Sequence, residues 1–316
     1  MKHIAIIKQS LLLVAGALAV MLTGCIKDDL AECSKLTLKV EGLDANSGEI
    51  LDITRQGLVT DATLYIFDEN NSLLEARDLS ADFILAKEEI KLDKYPDHTK
   101  LKIVAWGNVK GGNQTVAQPK TLDELKLQLK STEEGFAQSP DSLYYGAKDV
   151  TSLGSGIVGG DGEVAVRLKT GTYTIKTIGL SNALKAYGLK SASDFDFYID
   201  QTLNTYDNAG KLEGDSIGYN PEGEYDSAQE WLTKGVIDNA ALGGKQNSFS
   251  GKNLGVAIKS KDGSVGRTLY TDDEGNPFEI PEGGRLDVQI LFGEDGTISA
   301  RMRITKWGVV EEDIEF

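Results

Sequence analysis

The chain has 316 residues, with 49 acids against 33 lysines and arginines and a formal net charge of −16. So acidic a surface repels nucleic acid and anionic headgroups, which argues against a phosphate-binding role. Hydrophobic residues at 40% and charged residues at 26% describe a globular protein rather than a disordered one, and 35 glycines against 6 prolines suit many turns between short strands.

The N-terminus reads as a secretory signal. Lys2 and Lys8 form a positive flank, and an apolar stretch over residues 11–22 ends in Leu22-Thr23-Gly24-Cys25. A transmembrane helix needs about 20 apolar residues, so this shorter stretch with small residues at its end reads as a processed segment. Leu-Thr-Gly-Cys is the lipobox pattern, in which the cysteine thiol receives diacylglycerol before cleavage. Cys25 is therefore the expected lipid attachment site. Each buried methylene is worth about 0.8 kcal/mol and stable anchoring takes at least two acyl chains, which a bacterial lipoprotein carries. Cleavage before Cys25 removes 24 residues and leaves 292; losing Lys2 and Lys8 takes the net charge to −18. Lys27, Asp28 and Asp29 follow directly. Read as residues they are a solvated linker, and as a motif they resemble the surface-export signal of Bacteroidetes lipoproteins. With Cys25 acylated, Cys33 has no internal partner, so no disulfide framework is expected.

Beyond the linker the periodicity is mostly that of strands. Residues 36–40 alternate apolar and polar side chains, and residues 59–67 place Ala62, Leu64 and Ile66 on one parity. The turn formers Asp68-Glu69-Asn70-Asn71 separate that strand from Leu73-Leu74. Residues 101–106 form a nearly continuous apolar strand. Leu122, Leu125, Leu127 and Leu129 read as a short helix begun by Thr121, with Asp123 and Glu124 near its positive end. Residues 164–168 and 173–178 are a strand pair or one long strand. Residues 195–199, 254–258 and 286–291 are further strands, and residues 207–227 read as a long polar loop. In the last strand, residues 297–307, Ile298, Ala300, Met302 and Ile304 share one face and Ser299, Arg301, Arg303 and Thr305 the other.

Many short strands with glycine-rich turns predict an all-β protein of antiparallel β-sandwiches. The glycine-rich residues 154–162 place a boundary between an N-terminal sandwich (35–162) and a C-terminal one (163–316), after a signal peptide (1–24) and an acylated linker (25–34).

Taken in order, the lipobox, the acidic linker with a second cysteine, Leu64-Tyr65-Ile66-Phe67-Asp68, Val104-Ala105-Trp106-Gly107-Asn108, Leu143-Tyr144-Tyr145-Gly146 and a long strand at 163–180 resemble the fimbrial anchor lipoproteins of Bacteroidales. These are the FimB-like subunits of type V pili. The resemblance is clearest over residues 25–180. It implies two tandem transthyretin-like β-sandwich domains and a role in holding a pilus to the outer membrane. It also implies pilus stalk subunits as partners, joined by β-strand complementation, in which an extended segment of one subunit completes a sheet of another. Such head-to-tail contacts grow a filament until something terminates them, and an acylated subunit would do so. The positions carried over are Cys25 as anchor and residues 297–307 as the strand engaging a neighbour, with Ile298, Ala300, Met302 and Ile304 as its apolar face. The plainer reading of that strand is an edge or core strand of its own domain.

Enzyme chemistry finds little to build on. His3 leaves with the signal, His98 sits in the turn-like Tyr95-Pro96-Asp97-His98, and no Cys/His metal spacing or glycine-rich phosphate loop is present. No cofactor and no metal site is expected. Acid-rich turns such as Asp272-Asp273-Glu274-Gly275-Asn276 offer oxygen ligands for Ca²⁺ without EF-hand spacing, and need no ion as hairpin turns. Asp141-Ser142-Leu143, Asp215-Ser216-Ile217 and Asp226-Ser227-Ala228 look like O-glycosylation acceptors of Bacteroidetes. A second functional reading is a surface glycan- or ligand-binding lipoprotein, with Tyr144, Tyr145 or Trp231 as an exposed aromatic platform.

Overall fold

The computed structural model describes residues 33–44, 47–226, 228–234 and 246–306. Seven strands form the first sheet in the order Ile50–Asp52, Thr37–Leu43, Glu163–Leu168, Tyr144–Thr151, Lys100–Gly107, Asp61–Phe67 and Leu73–Ser80. Asp61–Phe67 and Lys100–Gly107 lie inside it and are nearly continuously apolar because both faces of the sheet are covered there. Ala62, Leu64, Ile66, Leu101, Ile103 and Ala105 enter one core with Leu38, Val40, Val164 and Val166. Tyr65, Phe67, Val104 and Trp106 alternate into another, which is shared with the rest of the chain.

Two further sheets enclose that second core. One runs Gly223–Tyr225, Trp231–Thr233, Thr170–Ile178, Arg285–Phe292, Ile298–Thr305, with Gln246–Phe249 also paired to Thr170–Ile178. The other runs Gly266–Leu269, Gly251–Ser260, Phe195–Tyr206, Leu127–Leu129, Gln114–Val116. Tyr173, Ile175, Leu286, Val288 and Ile290 of the first oppose Phe195, Phe197, Leu254, Val256 and Ile258 of the second, so the two pack as a sandwich. The all-β sandwich architecture expected from the strand pattern is thus present. Among the described residues the ladders are antiparallel apart from two: Glu163–Leu168 runs parallel to Thr37–Leu43, and Thr170–Ile178 parallel to Arg285–Phe292. Parallel neighbours need a long crossover, and in each case more than a hundred residues of chain intervene, so periodicity within a strand could not reveal them.

Three local readings change. Glu163–Leu168 hydrogen-bonds in the first sheet and Thr170–Ile178 in the second half, so the chain changes sheets at Lys169 rather than within the glycine-rich stretch. Those glycines instead make the return from Tyr144–Thr151, with Gly154, Gly156 and Gly160 at φ of 76°, 79° and 81°. Residues 122–129 are not a helix: Leu122–Glu124 is one 3₁₀ turn and Leu127–Leu129 a strand beside Phe195–Tyr206. Thr121 makes no side-chain cap, and Leu125, Leu127 and Leu129 keep a period of two into the core. Residues 207–227 are not a long loop either. Asp207 closes a tight turn by accepting the Ala209 and Lys211 N–H groups, and Leu212–Tyr219 returns as a strand along Phe195–Tyr206.

Candidate functional site: the two ends of the chain

Cys25, Lys27, Asp28 and Asp29 lie outside the described residues. The chain is first described at Cys33–Lys35, a short strand antiparallel to Ile157–Gly159, with Cys33 opposite Gly159. Thr37 N–H then donates to Gly162 O at 2.7 Å, and Thr37–Leu43 enters the first sheet. A Cβ on Gly162 would stand 2.1 Å from Lys35 O, so only glycine allows the leader this close approach. Eight Cα-to-Cα steps lead from Cys25 to Cys33, a reach of at most about 28 Å.

At the other end, Ile298–Thr305 pairs antiparallel with Arg285–Phe292 along its whole length, from Arg285 opposite Thr305 to Phe292 opposite Ile298. The structure brings Ile298, Ala300, Met302 and Ile304 together on one face. Ile298 and Ala300 are buried at 7% and 1% exposure, and Met302 and Ile304 are half-buried against the same core. This strand is therefore a working part of its own sandwich, and it forms the edge of its sheet. Sequence reasoning did not foresee that the Asp272–Asn276 turn reaches this edge: Asp273 N–H donates to Ala300 O at 2.8 Å, and Arg301 Nε lies 3.8 Å from the Asp273 carboxylate. No signal in the local pattern of either segment announces that contact.

The same turn answers the calcium reading. Burial opposes ionisation of Asp272, yet hydrogen bonds from the Asn276 side chain and the Asn276 and Glu274 N–H groups outweigh it and hold the carboxyl below its ordinary range. Its oxygens thus serve the turn itself. Among the described residues no three His, Cys, Asp or Glu side chains are placed to hold a metal ion. His98 sits exposed in its turn at φ 62°, with Nε2 3.4 Å from Asp97. The aromatic platform is also not at the surface. Tyr144 and Trp231 are buried at 4% and 5%, and the Tyr145 ring lies against Trp106 at 4.8 Å while its hydroxyl donates to Asn208 O.

What the fold defines is a β-sandwich protein whose first described strand, Cys33–Lys35, pairs with Ile157–Gly159 and whose last, Ile298–Thr305, is a sheet edge. The chain belongs to the family of fimbrillin-A associated anchor proteins Mfa1 and Mfa2, whose model matches residues 30–313. No curated protein matches it. Among solved structures it is similar to a protein of Bacteroides thetaiotaomicron described as a putative polysaccharide binding protein (TM-score 0.60, 16% identity, covering 89% of this chain and 98% of that one). It is similar as well to a putative adhesin from Bacteroides ovatus (0.57, 15%, 89% and 97%) and to the fimbrial anchor protein Mfa2 from Porphyromonas gingivalis (0.54, 14%, 85% and 96%). At these identities the structures speak for a shared fold.

Proposed function

We propose that this protein is the lipid-tethered anchor of a pilus, held in the outer membrane through Cys25 and facing the cell surface. The observation that carries the reading is membership, over residues 30–313, of a family of fimbrial anchor proteins. The lipobox at Leu22-Thr23-Gly24-Cys25 supports the tether, and Lys27-Asp28-Asp29 supports export to the outer leaflet. The leader strand Cys33–Lys35 supports a short path from lipid to fold, within the reach of eight Cα-to-Cα steps. On this reading pilus stalk subunits are the partners, and Ile298–Thr305 is where one of them engages by β-strand complementation. Its apolar face stays in its own sandwich, so the edge of the strand makes the contact rather than a strand withdrawn from the core. A subunit fixed to lipid at one end terminates the filament there.

The test is Cys25→Ala in cells that make pili, with pili and anchor assayed in cell-bound and medium fractions. Anchoring predicts that both move to the medium. Pili that stay cell-bound while the variant protein is folded and released would overturn it.

A further inference from the structure

The outer face of the sheet built around Phe195–Tyr206 holds a group of side chains that the fold itself does not use. Phe197 and Ile199 enter the core, so Tyr198 and Asp200 point to the other face. Asp200 stands opposite Gly255 of Gly251–Ser260. A Cβ on Gly255 would lie 3.5 Å from Asp200 Cβ, 3.4 Å from Tyr270 Cε1 and 2.8 Å from Thr268 Cγ2, so these three side chains surround a notch above the glycine. On the other flank a Cβ on Gly218 would lie 2.5 Å from Asp200 Oδ1, so the carboxylate lies over that glycine.

Three features separate this group from ordinary surface. Tyr270 is the one exposed aromatic side chain among the described residues, 51% open to solvent. Gln201 has a φ of 69° within a strand, at the bulge between the Ile199–Tyr219 and Thr202–Ile217 pairs, where glycine would sit without strain. The bulge brings the Gln201 amide to the aromatic, with Nε2 3.5 Å from the Tyr270 hydroxyl. The Asp200 carboxylate is half-buried, and no hydrogen bond from the described residues satisfies it. Burial outweighs the field of Lys259 and holds its carboxyl above the ordinary range. Lys259 is itself engaged over the Tyr198 ring, 4.8 Å from the centroid.

We propose that this notch binds a neutral sugar ring of a glycan, stacked on Tyr270 and hydrogen-bonded by Asp200 and Gln201. A pyranose has an apolar C–H face, which the exposed Tyr270 ring takes, and a rim of hydroxyls that both donate and accept. Asp200 offers two charged acceptors to neighbouring hydroxyls, and the Gln201 amide and Tyr270 hydroxyl supply donors and acceptors beside them. A guanidinium or ammonium group uses acceptors alone and would leave the Gln201 amide donor unmatched. Acidic sugars are repelled, because Asp196 and Glu134 act on Tyr198 together with Asp200. Gly255 lets the ring settle against the sheet, where a β carbon would hold it off. The site lies on a sheet face, and neither the lipid tether nor a role in pili enters into it.

The test is titration of the full mature protein, in a detergent that carries no sugar, against gluco-, manno- and galacto-configured neutral oligosaccharides, with uronic-acid oligosaccharides and oligolysine alongside. At least one neutral probe should bind saturably, and the uronic acids should not. Tyr270→Ala and Asp200→Asn should each weaken that binding about tenfold or more, by loss of the stacking face or of the charged acceptor, with the urea midpoint unchanged. Gln201→Gly separates binding from folding: it should weaken sugar binding without lowering the midpoint, since glycine accepts the left-handed φ. Absence of saturable binding by every neutral probe, or binding that Tyr270→Ala and Asp200→Asn leave intact, would overturn the proposal. Oligolysine bound in place of sugar would assign the carboxylate to a cationic partner and overturn it equally.

Discussion

Trp106 is where the first sheet grips the rest of the molecule, and removing its side chain tests that packing. It is fully buried, with its ring 4.8 Å from that of Tyr145 and 5.8 Å from that of Tyr206, which belongs to the opposing sheet. Truncating a buried Trp to alanine costs about 3–5 kcal/mol, because contacts vanish on every side and a packed interior only partly closes around the gap. Against a total stability of about 5–15 kcal/mol this leaves the variant folded but raises its unfolded fraction a hundredfold or more. Trp106→Phe should behave differently. Among the described residues the buried Trp106 Nε1 has no hydrogen-bond partner, a burden of about 1–3 kcal/mol that phenylalanine lacks. That relief offsets much of the lost ring volume, so Trp106→Phe should fall within about 1.5 kcal/mol of the parent. Urea unfolding followed by far-UV circular dichroism measures both. A Trp106→Ala variant less than 1 kcal/mol below the parent would refute the claim that this ring joins the sheets.

Charge and backbone give three further expectations. Burial opposes ionisation of Asp52 and Glu75, but hydrogen bonds from Lys87 and Thr54 to the first, and from Arg77, Lys94 and Tyr95 to the second, outweigh it and hold both at about 2. Folded values below the unfolded 3.8 and 4.5 mean that this stabilisation is complete above pH 4.5 and is lost as pH falls towards 2. Urea midpoints at pH 5, 4 and 3 should therefore decline less steeply in a Lys87→Ala/Arg77→Ala double variant than in the parent; identical slopes would contradict the assignment. Arg167 donates from Nε and Nη2 to Glu41, which is 7% exposed, while Lys39 stands 3.4 Å from the same carboxylate. Arg167→Ala should cost about 1–2 kcal/mol, reduced by solvent around Arg167 and by the second cation, and Lys39→Ala in that background should cost more than it does alone. Gly146→Ala should give insoluble protein or one destabilised by at least about 1–3 kcal/mol, since the added Cβ would stand 2.0 Å from Ala165 O; normal expression and an unchanged urea midpoint would refute that contact.

What could be read from the sequence was what depends on neighbours along the chain. Alternation located Thr37–Leu43, Asp61–Phe67, Arg285–Phe292 and Ile298–Thr305, because each has a side chain period of two set by its own backbone. The continuous apolar run at 101–106 pointed to a strand covered on both sides, and Lys100–Gly107 has a core on each face. The failures occurred where partners distant in sequence decide. Four leucines between 122 and 129 fit a helical and a strand period alike, and pairing with Phe195–Tyr206 makes Leu127–Leu129 a strand while Leu122–Glu124 is a 3₁₀ turn. Leu212–Tyr219 is rich in Gly, Asp and Ser and reads as coil by composition, yet a ladder against Phe195–Tyr206, interrupted by two register shifts, holds it extended.

The same distinction governs the functional ends. The apolar face of Ile298–Thr305 was legible because it is a matter of parity, whereas the state of its outer edge was not. Whether an edge is open depends on what else the fold sets beside it, here the Asp272–Asn276 turn at Ala300 and no described strand at Met302 and Ile304. A sheet edge offers any partner strand its unpaired backbone groups and the charges beside them. Arg301 and Arg303 are informative for that reason. On a closed sheet they would be two solvated cations, but beside an open edge in an acidic chain they favour acidic side chains on any strand that lies there.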